Sequence, residues 1–321
     1  MNLKEIYQPI SNELSQVEIE LKKQINSITV QCSMFNVQRI IGHFFKSPGK
    51  YIRPALVLLS AKSVNELRTT NYEPRTTNYE PLIKLAAAVE LIHNASLIHD
   101  DIIDNESFRR GQPSLNKQFG NQTAVLVGDM LYTHAFSLLF GKVDNRIINI
   151  LLQCVEKMTI GELYELQIAN CELRDAKLKS EIRNPKSEIK IAKYKSRTTN
   201  HKPQVPFNDY LKIIENKTAS LMSTCCECAA ILVCPENIKT ISALKEYGFN
   251  FGMTYQLIDD YLDSDISIDS ELNLVEKAKE YAECAKESIK FLPDSEYKKS
   301  LENFVDFITN VQNEAYSFNS R

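Results

Sequence analysis

LIKLAAAVELIHNASLIHDDIID, residues 82–104, is a long apolar run with helical spacing that ends on three aspartates. It predicts one long helix with its acids gathered at one end. Further helical patterns fall at 121–142, 146–170, 207–232, 238–263, 271–292 and 297–316. Residues 4–45 carry apolar positions at threes and fours, among them Ile6, Ile10, Leu14, Val17, Ile19, Leu21 and Ile25. No window alternates with a period of two. Only 9 glycines and 11 prolines punctuate 321 residues, and 43% of them are hydrophobic. Such a chain has the material for a sizeable core but few turn formers, so an all-α fold of long helices is expected.

A formal charge of -3 offers no overall field for nucleic acid or an anionic membrane. No uninterrupted apolar run approaches the roughly 20 residues of a membrane span. The first residues, MNLKEIYQPISNELSQVEIELKKQ, have no apolar centre and do not resemble a secretory signal. The expectation is a soluble protein of the cytoplasm or an organelle stroma, with its 8 cysteines reduced. Cys225, Cys226 and Cys228, with Cys234 nearby, lack the spacing of a zinc knuckle and read as small packing residues.

Two segments stand apart from the core pattern. RTTNYEPRTTNYEP, residues 68–81, is an identical tandem copy of a seven-residue unit. Its prolines and threonines exclude a coiled coil, and it reads as a surface insertion over about 66–81. Residues 172–206 hold ten Lys/Arg against four Asp/Glu. A basic patch against anionic lipid is one reading; a solvated insertion is the simpler one.

The chemistry begins at HDDIIDNESFRRG, residues 99–111. On a helix Asp100 and Asp104 share a face one turn apart, with Asp101 beside Asp104 at i,i+3. Such carboxylates repel unless a cation neutralises them, and hard oxygen donors with room for water suit Mg²⁺. One acidic helix end is commonplace. However, QLIDDYLD repeats the spacing with Asp259, Asp260 and Asp263, again at the end of an apolar helical run. Two such ends facing one cavity would be unfavourable empty and well matched to Mg²⁺ around a diphosphate. Cations complete an anion site: Arg109 and Arg110 after the first triplet, Lys50 and Arg53 in PGKYIRP, and Lys217 with Thr218 in ENKTASL.

With these motifs the chain resembles the trans-isoprenyl diphosphate synthases of the long-chain, polyprenyl synthetase type. HDDIIDNESFRRG resembles the family's first aspartate-rich motif and QLIDDYLD its second. PGKYIRP resembles its GGKxxRP, with Pro48 in place of the first glycine; HNASLIHDD, FGNQTAVLVGDML and NKTASL match further segments. The resemblance implies one domain over 1–321, a bundle of antiparallel helices around a central substrate cavity. It also implies a homodimer, with peripheral membrane contact for product release. Asp100, Asp101 and Asp104, with Asp259, Asp260 and Asp263 opposite, would hold about two to three Mg²⁺ ions on the diphosphate. Lys217, Thr218, Arg109 and Gln256 would contact the allylic diphosphate. Lys50, Arg53, His93 and Arg110 would hold isopentenyl diphosphate.

The implied reaction is ionisation of the allylic diphosphate, attack by the isopentenyl double bond, and loss of a proton. Ala95 and Ser96, small residues one turn before Asp100, imply an open tunnel and products on the order of C20 or longer. After Asp263 the chain departs from the family. The usual lysine-bearing segment is missing, which predicts a fold shortened near the C-terminus, with one apolar wall exposed or covered by a partner. A class I terpene cyclase and a non-catalytic subunit of a heteromeric synthase are the competing readings. The second triplet and the Lys50/Arg53/Arg110 set argue against the first, and retention of both triplets against the second.

Overall fold

The computed structural model of the chain describes residues 2–31, 37–46, 49–65, 79–183, 205–263 and 274–310. Thirteen α-helices appear among them. The N-terminal set is α1 (Leu3–Tyr7), α2 (Ser11–Gln31) and α3 (Val37–Phe44). The central set is α4 (Ile52–Asn65), α5 (Glu80–Ile103), α6 (Leu115–Phe119), α7 (Asn121–Leu139) and α8 (Asn145–Arg183). The C-terminal set is α9 (Phe207–Ile214), α10 (Ser220–Val233), α11 (Ile238–Asp263), α12 (Leu274–Ile289) and α13 (Glu296–Thr309).

The opening stretch is the spine. At about 1.5 Å per residue, the 24 residues of α5 run roughly 36 Å through the molecule. Leu85, Ala86, Ala87, Ala88, Leu91 and Ile92 are fully buried. The alanines let neighbouring backbones approach closely, and each buried Leu or Ile contributes about 1.5–3 kcal/mol. Helices α4, α7 and α10 pack around α5, and α11 packs on α10. By length and composition α5 could cross a membrane, contrary to the sequence expectation; 72% of its apolar window is buried inside the fold, which makes it a core helix.

Four departures from expectation have a physical cause, besides shorter ends at Leu139 in α7 and Ile289 in α12. Helix α5 begins at Glu80, inside the tandem repeat, because Pro81 stands in its first turn, where a missing N–H costs nothing. Helix α8 runs through 172–183, beyond the expected end at 170. ELRDAKLKSEIR is rich in helix formers, and no proline interrupts it before Pro185. The rest of the basic insertion, 184–204, lies outside the described residues, as do 66–78 of the first insertion and 311–316 of the last expected helix. A five-residue π turn, Glu215–Ala219, joins α9 to α10. Finally, a hairpin pairs β1 (Phe108–Arg109) with β2 (Gln112–Pro113), too short to leave a period-two signature.

The apolar wall expected beyond Asp263 is covered by the chain itself. Ala278, Ala282 and Ala285 of α12 are buried against α11. Phe304 of α13 meets the rings of Phe251 at 4.9 Å and Tyr7 at 5.7 Å. Exposed apolar side chains include Leu126 (68%) of α7 and Ile160 (51%) and Leu163 (60%) of α8, with Ile19 of α2, expected on an apolar face, and Ile238 and Tyr261 of α11.

The second repeat copy supplies Tyr79, whose carbonyl accepts from Ile83 N–H at 2.9 Å and whose ring lies 5.4 Å from the Lys62 ammonium. Excising residues 68–74 leaves one intact copy to do this. The deletion is expected to shift stability by only about 0.6 kcal/mol, the loop-closure effect of roughly halving a connection. Thermal unfolding checks it; a loss above about 2 kcal/mol would show that the first copy is packed into the fold.

Candidate active site

Asp100 and Asp101 are neighbours in sequence but serve different surroundings, because a helix turns about 100° per residue. Asp100 enters a solvent-open cavity of about 470 Å³, lined also by Ser96, His99, Tyr132, Met158, Glu162 and Lys217. Burial pushes its carboxyl up to about 7, with Lys217 opposing and Glu162 reinforcing the shift. The Asp101 side chain, 1% exposed, accepts at Oδ1 from Arg109 Nε at 2.6 Å and Nη2 at 2.5 Å. Burial raises its pKa against that pull. Its Oδ2 is buried without a hydrogen-bond partner. Asp104 caps the helix C-terminus and is exposed.

Lys217 stands in the π turn, a distortion that is frequent at functional sites. Its ammonium is 2.5 Å from both Glu162 Oε2 and Glu165 Oε2 of α8. Burial works against its charge, but the two carboxylates outweigh burial and its pKa rises. Gly161 permits this docking: a Cβ there would lie 2.8 Å from Asn216 Cβ and 3.0 Å from Lys217 Cγ. The sequence reading missed Glu162 and Glu165. Acids at i,i+3 in a charged helix look like a solvated face until a distant lysine covers them.

The other side of the π turn reaches the second triplet. Thr218 Oγ1 donates to Gln256 Oε1 at 2.8 Å, and Gln256 Nε2 donates to Asp260 Oδ1 at 3.0 Å. Tyr210 of α9, also missed from sequence, donates its hydroxyl to Asp260 Oδ2 at 2.6 Å. Burial, and then the Asp260 charge, push that phenol upward. Asp259 is half-buried. Asp263 ends α11, and its side chain lies outside the described residues.

Lys50, Arg53 and Arg110 supply the cations, with His93 beside the two arginines. Burial lowers the Lys50 pKa, opposed by the charge of Asp259. Burial, then Arg53 and Arg110, hold His93 well below its usual range, so it is neutral at pH 7. Beneath them is Glu90, 3% exposed, whose pKa burial raises while Arg53 and Arg110 draw it down. Arg53 Nε is buried with no hydrogen-bond partner, a donor suited to an added anion. At Gly49 the backbone passes close to this corner: a Cβ would sit 3.0 Å from Arg110 Nη2 and 3.2 Å from Glu90 Oε1 and press on both side chains.

Among the described residues no group of three metal-ligating side chains converges on one point. Mg²⁺ needs none, because it is commonly held by one or two carboxylates with water and phosphate oxygens. The desolvated Asp100 carboxylate and the unpartnered Asp101 Oδ2 are hard oxygen donors of that kind, so the residues present fit the ion.

The sequence profile named Polyprenyl synthetase matches residues 36–271. Octaprenyl diphosphate synthase of Escherichia coli (strain K12) is 30% identical over 268 residues, covering 82% of this chain and 67% of that protein. All-trans-nonaprenyl-diphosphate synthase (geranyl-diphosphate specific) of Rhodobacter capsulatus is 29% identical over 81% of this chain and 65% of that one. The solved polyprenyl synthase from Caulobacter crescentus CB15, complexed with calcium and isoprenyl diphosphate, matches with a TM-score of 0.73. That match covers 96% of this chain and 97% of the other, at 20% identity. The geranyltransferase from Legionella pneumophila matches at a TM-score of 0.71 and 25% identity, over 97% and 99% of the two chains.

Proposed function

This chain belongs to the polyprenyl synthetase family, and on that premise we propose that it is an Mg²⁺-dependent trans-prenyltransferase. It would join an allylic diphosphate to isopentenyl diphosphate. One observation carries the reading: both acidic helix ends adjoin the same π turn. Lys217 borders the Asp100 cavity, and Thr218 reaches Asp260 through Gln256. A diphosphate lying over that turn would meet a cation, a hydroxyl and carboxylates from two sides.

Asp100, Asp101 and Asp104 on one side, and Asp259, Asp260 and Asp263 on the other, are the residues that would hold Mg²⁺. When bound, the ion neutralises the diphosphate and stabilises the departing pyrophosphate. Lys217, Arg109, Thr218 and Gln256 orient the allylic diphosphate so that its C–O bond can ionise. Lys50, Arg53, Arg110 and neutral His93 hold isopentenyl diphosphate with its double bond towards the new cation. Attack forms the C–C bond, and loss of a proton to the released pyrophosphate restores a neutral chain. Ser96 lines the cavity one turn below Asp100, whereas Ala95 is fully buried in the core. A small side chain at Ser96 supports products on the order of C20 or longer. The exposed apolar residues of α7 and α8 support a second copy as partner.

The test is incubation with labelled isopentenyl diphosphate, a geranyl, farnesyl or geranylgeranyl diphosphate, and Mg²⁺, on material sized by light scattering. Elongated diphosphates from a dimeric species are expected, abolished by a chelator and restored by Mg²⁺. No elongation by folded protein with any starter would leave the non-catalytic subunit as the reading, and a cyclic hydrocarbon the cyclase.

A further inference from the structure

The hairpin that carries Arg109 and Arg110 is conformationally expensive. Asn105 (φ 55) and Arg110 (φ 51) both adopt the left-handed region without being glycine, beside Gly111 (φ 74). Each such residue persists only where its surroundings over-determine it. Part of the restraint is local: Ser114 N–H donates to Ser107 O at 3.1 Å, and Asn116 Nδ2 to Asp101 O at 3.0 Å. One restraint arrives from far away. His43 of α3 places Nε2 2.8 Å from Pro113 O, across 70 residues of sequence. A carbonyl only accepts, so Nε2 carries the proton. The ring is further fixed edge-on to Phe119 of α6 at 5.5 Å. His43, Asp101, Arg109, Arg110 and Pro113 border one small cavity behind the hairpin.

We propose that His43 is a positioning residue that clasps the Arg109–Arg110 hairpin to α3. By doing so it fixes where the two arginines stand at the diphosphate site. This rests on the reading that Arg109 and Arg110 bind the substrate diphosphates, and it assigns His43 no contact with substrate.

The test compares His43→Ala with His43→Gln, whose amide can donate to the same carbonyl. In His43→Ala the amides of 105–114 are expected to exchange hydrogen at least about tenfold faster. The KM for isopentenyl diphosphate should rise about tenfold, with kcat changed less than about twofold. His43→Gln should restore both to within about threefold of wild type. Wild-type exchange in His43→Ala would overturn the proposal. So would a His43→Gln as impaired as the alanine variant, because ring packing on Phe119 would then be the operative contact. The exchange arm needs no substrate. If wild-type protein neither binds isopentenyl diphosphate nor elongates, the functional reading fails and exchange alone still decides the clasp.

Discussion

Asp100→Asn is expected to lower turnover by at least about a thousandfold, roughly 4 kcal/mol of transition-state stabilisation, while making the metal-free protein more stable. Both effects come from one charge. The carboxyl enters a partly desolvated cavity that already holds Glu162, and burial pushes its pKa up to about 7. A folded-state pKa above the unfolded value means that the folded protein binds the proton more tightly. The penalty is therefore absent below the ordinary carboxylate range, grows as pH rises from about 4, and is complete above about 7. Asparagine removes the ionisation and the penalty together. At pH 8 in chelator, Asp100→Asn should gain on the order of 1–3 kcal/mol, and at pH 4 almost nothing. Thermal unfolding at the two pH values, paired with a turnover assay, checks the claim. Wild-type turnover would remove Asp100 from the chemistry, and an unchanged melting temperature at pH 8 would remove the charge argument.

The helical spacing of this candidate site is legible in the sequence, whereas the surroundings of each side chain are not. The spacing of Asp100–Asp104 and Asp259–Asp263 was legible because a helix repeats, and so was α11, whose expected span 238–263 is the observed one. Spacing treats Asp100 and Asp101 as equivalents. The fold turns one into a cavity and pairs the other with Arg109. Tyr210 and Glu90 were illegible for the opposite reason. Nothing in YLKII or AVELI distinguishes a site residue from an ordinary amphipathic position, and only packing brings the Tyr210 hydroxyl to Asp260 and the Arg53 and Arg110 charges to Glu90. The hairpin bearing Arg109 and Arg110 left no signature either, since its strands are two residues long and its turn depends on left-handed residues.

Lys217→Ala is the second substitution expected to have a large effect, and its consequences can be separated. Losing the ammonium removes the cation that the allylic diphosphate would meet, so kcat/KM for that substrate should fall about 10²–10³-fold. It also leaves Glu162, Glu165 and Asp100 facing one another without compensation. The Lys217 side chain is 24% exposed and Glu162 only 12%. Breaking the cluster should therefore cost on the order of 1–3 kcal/mol, below the range for a fully buried pair. The two losses have different remedies. Adding Glu162→Gln and Glu165→Gln to Lys217→Ala removes the stranded charges and should recover most of the stability, but none of the turnover. A lysine present only to neutralise the two glutamates would give the contrary result, with activity returning as stability does. Chemical denaturation of the single and triple variants, beside kcat/KM for the allylic substrate, distinguishes the two. Recovery of turnover in the triple variant would show that Lys217 serves the fold rather than the diphosphate.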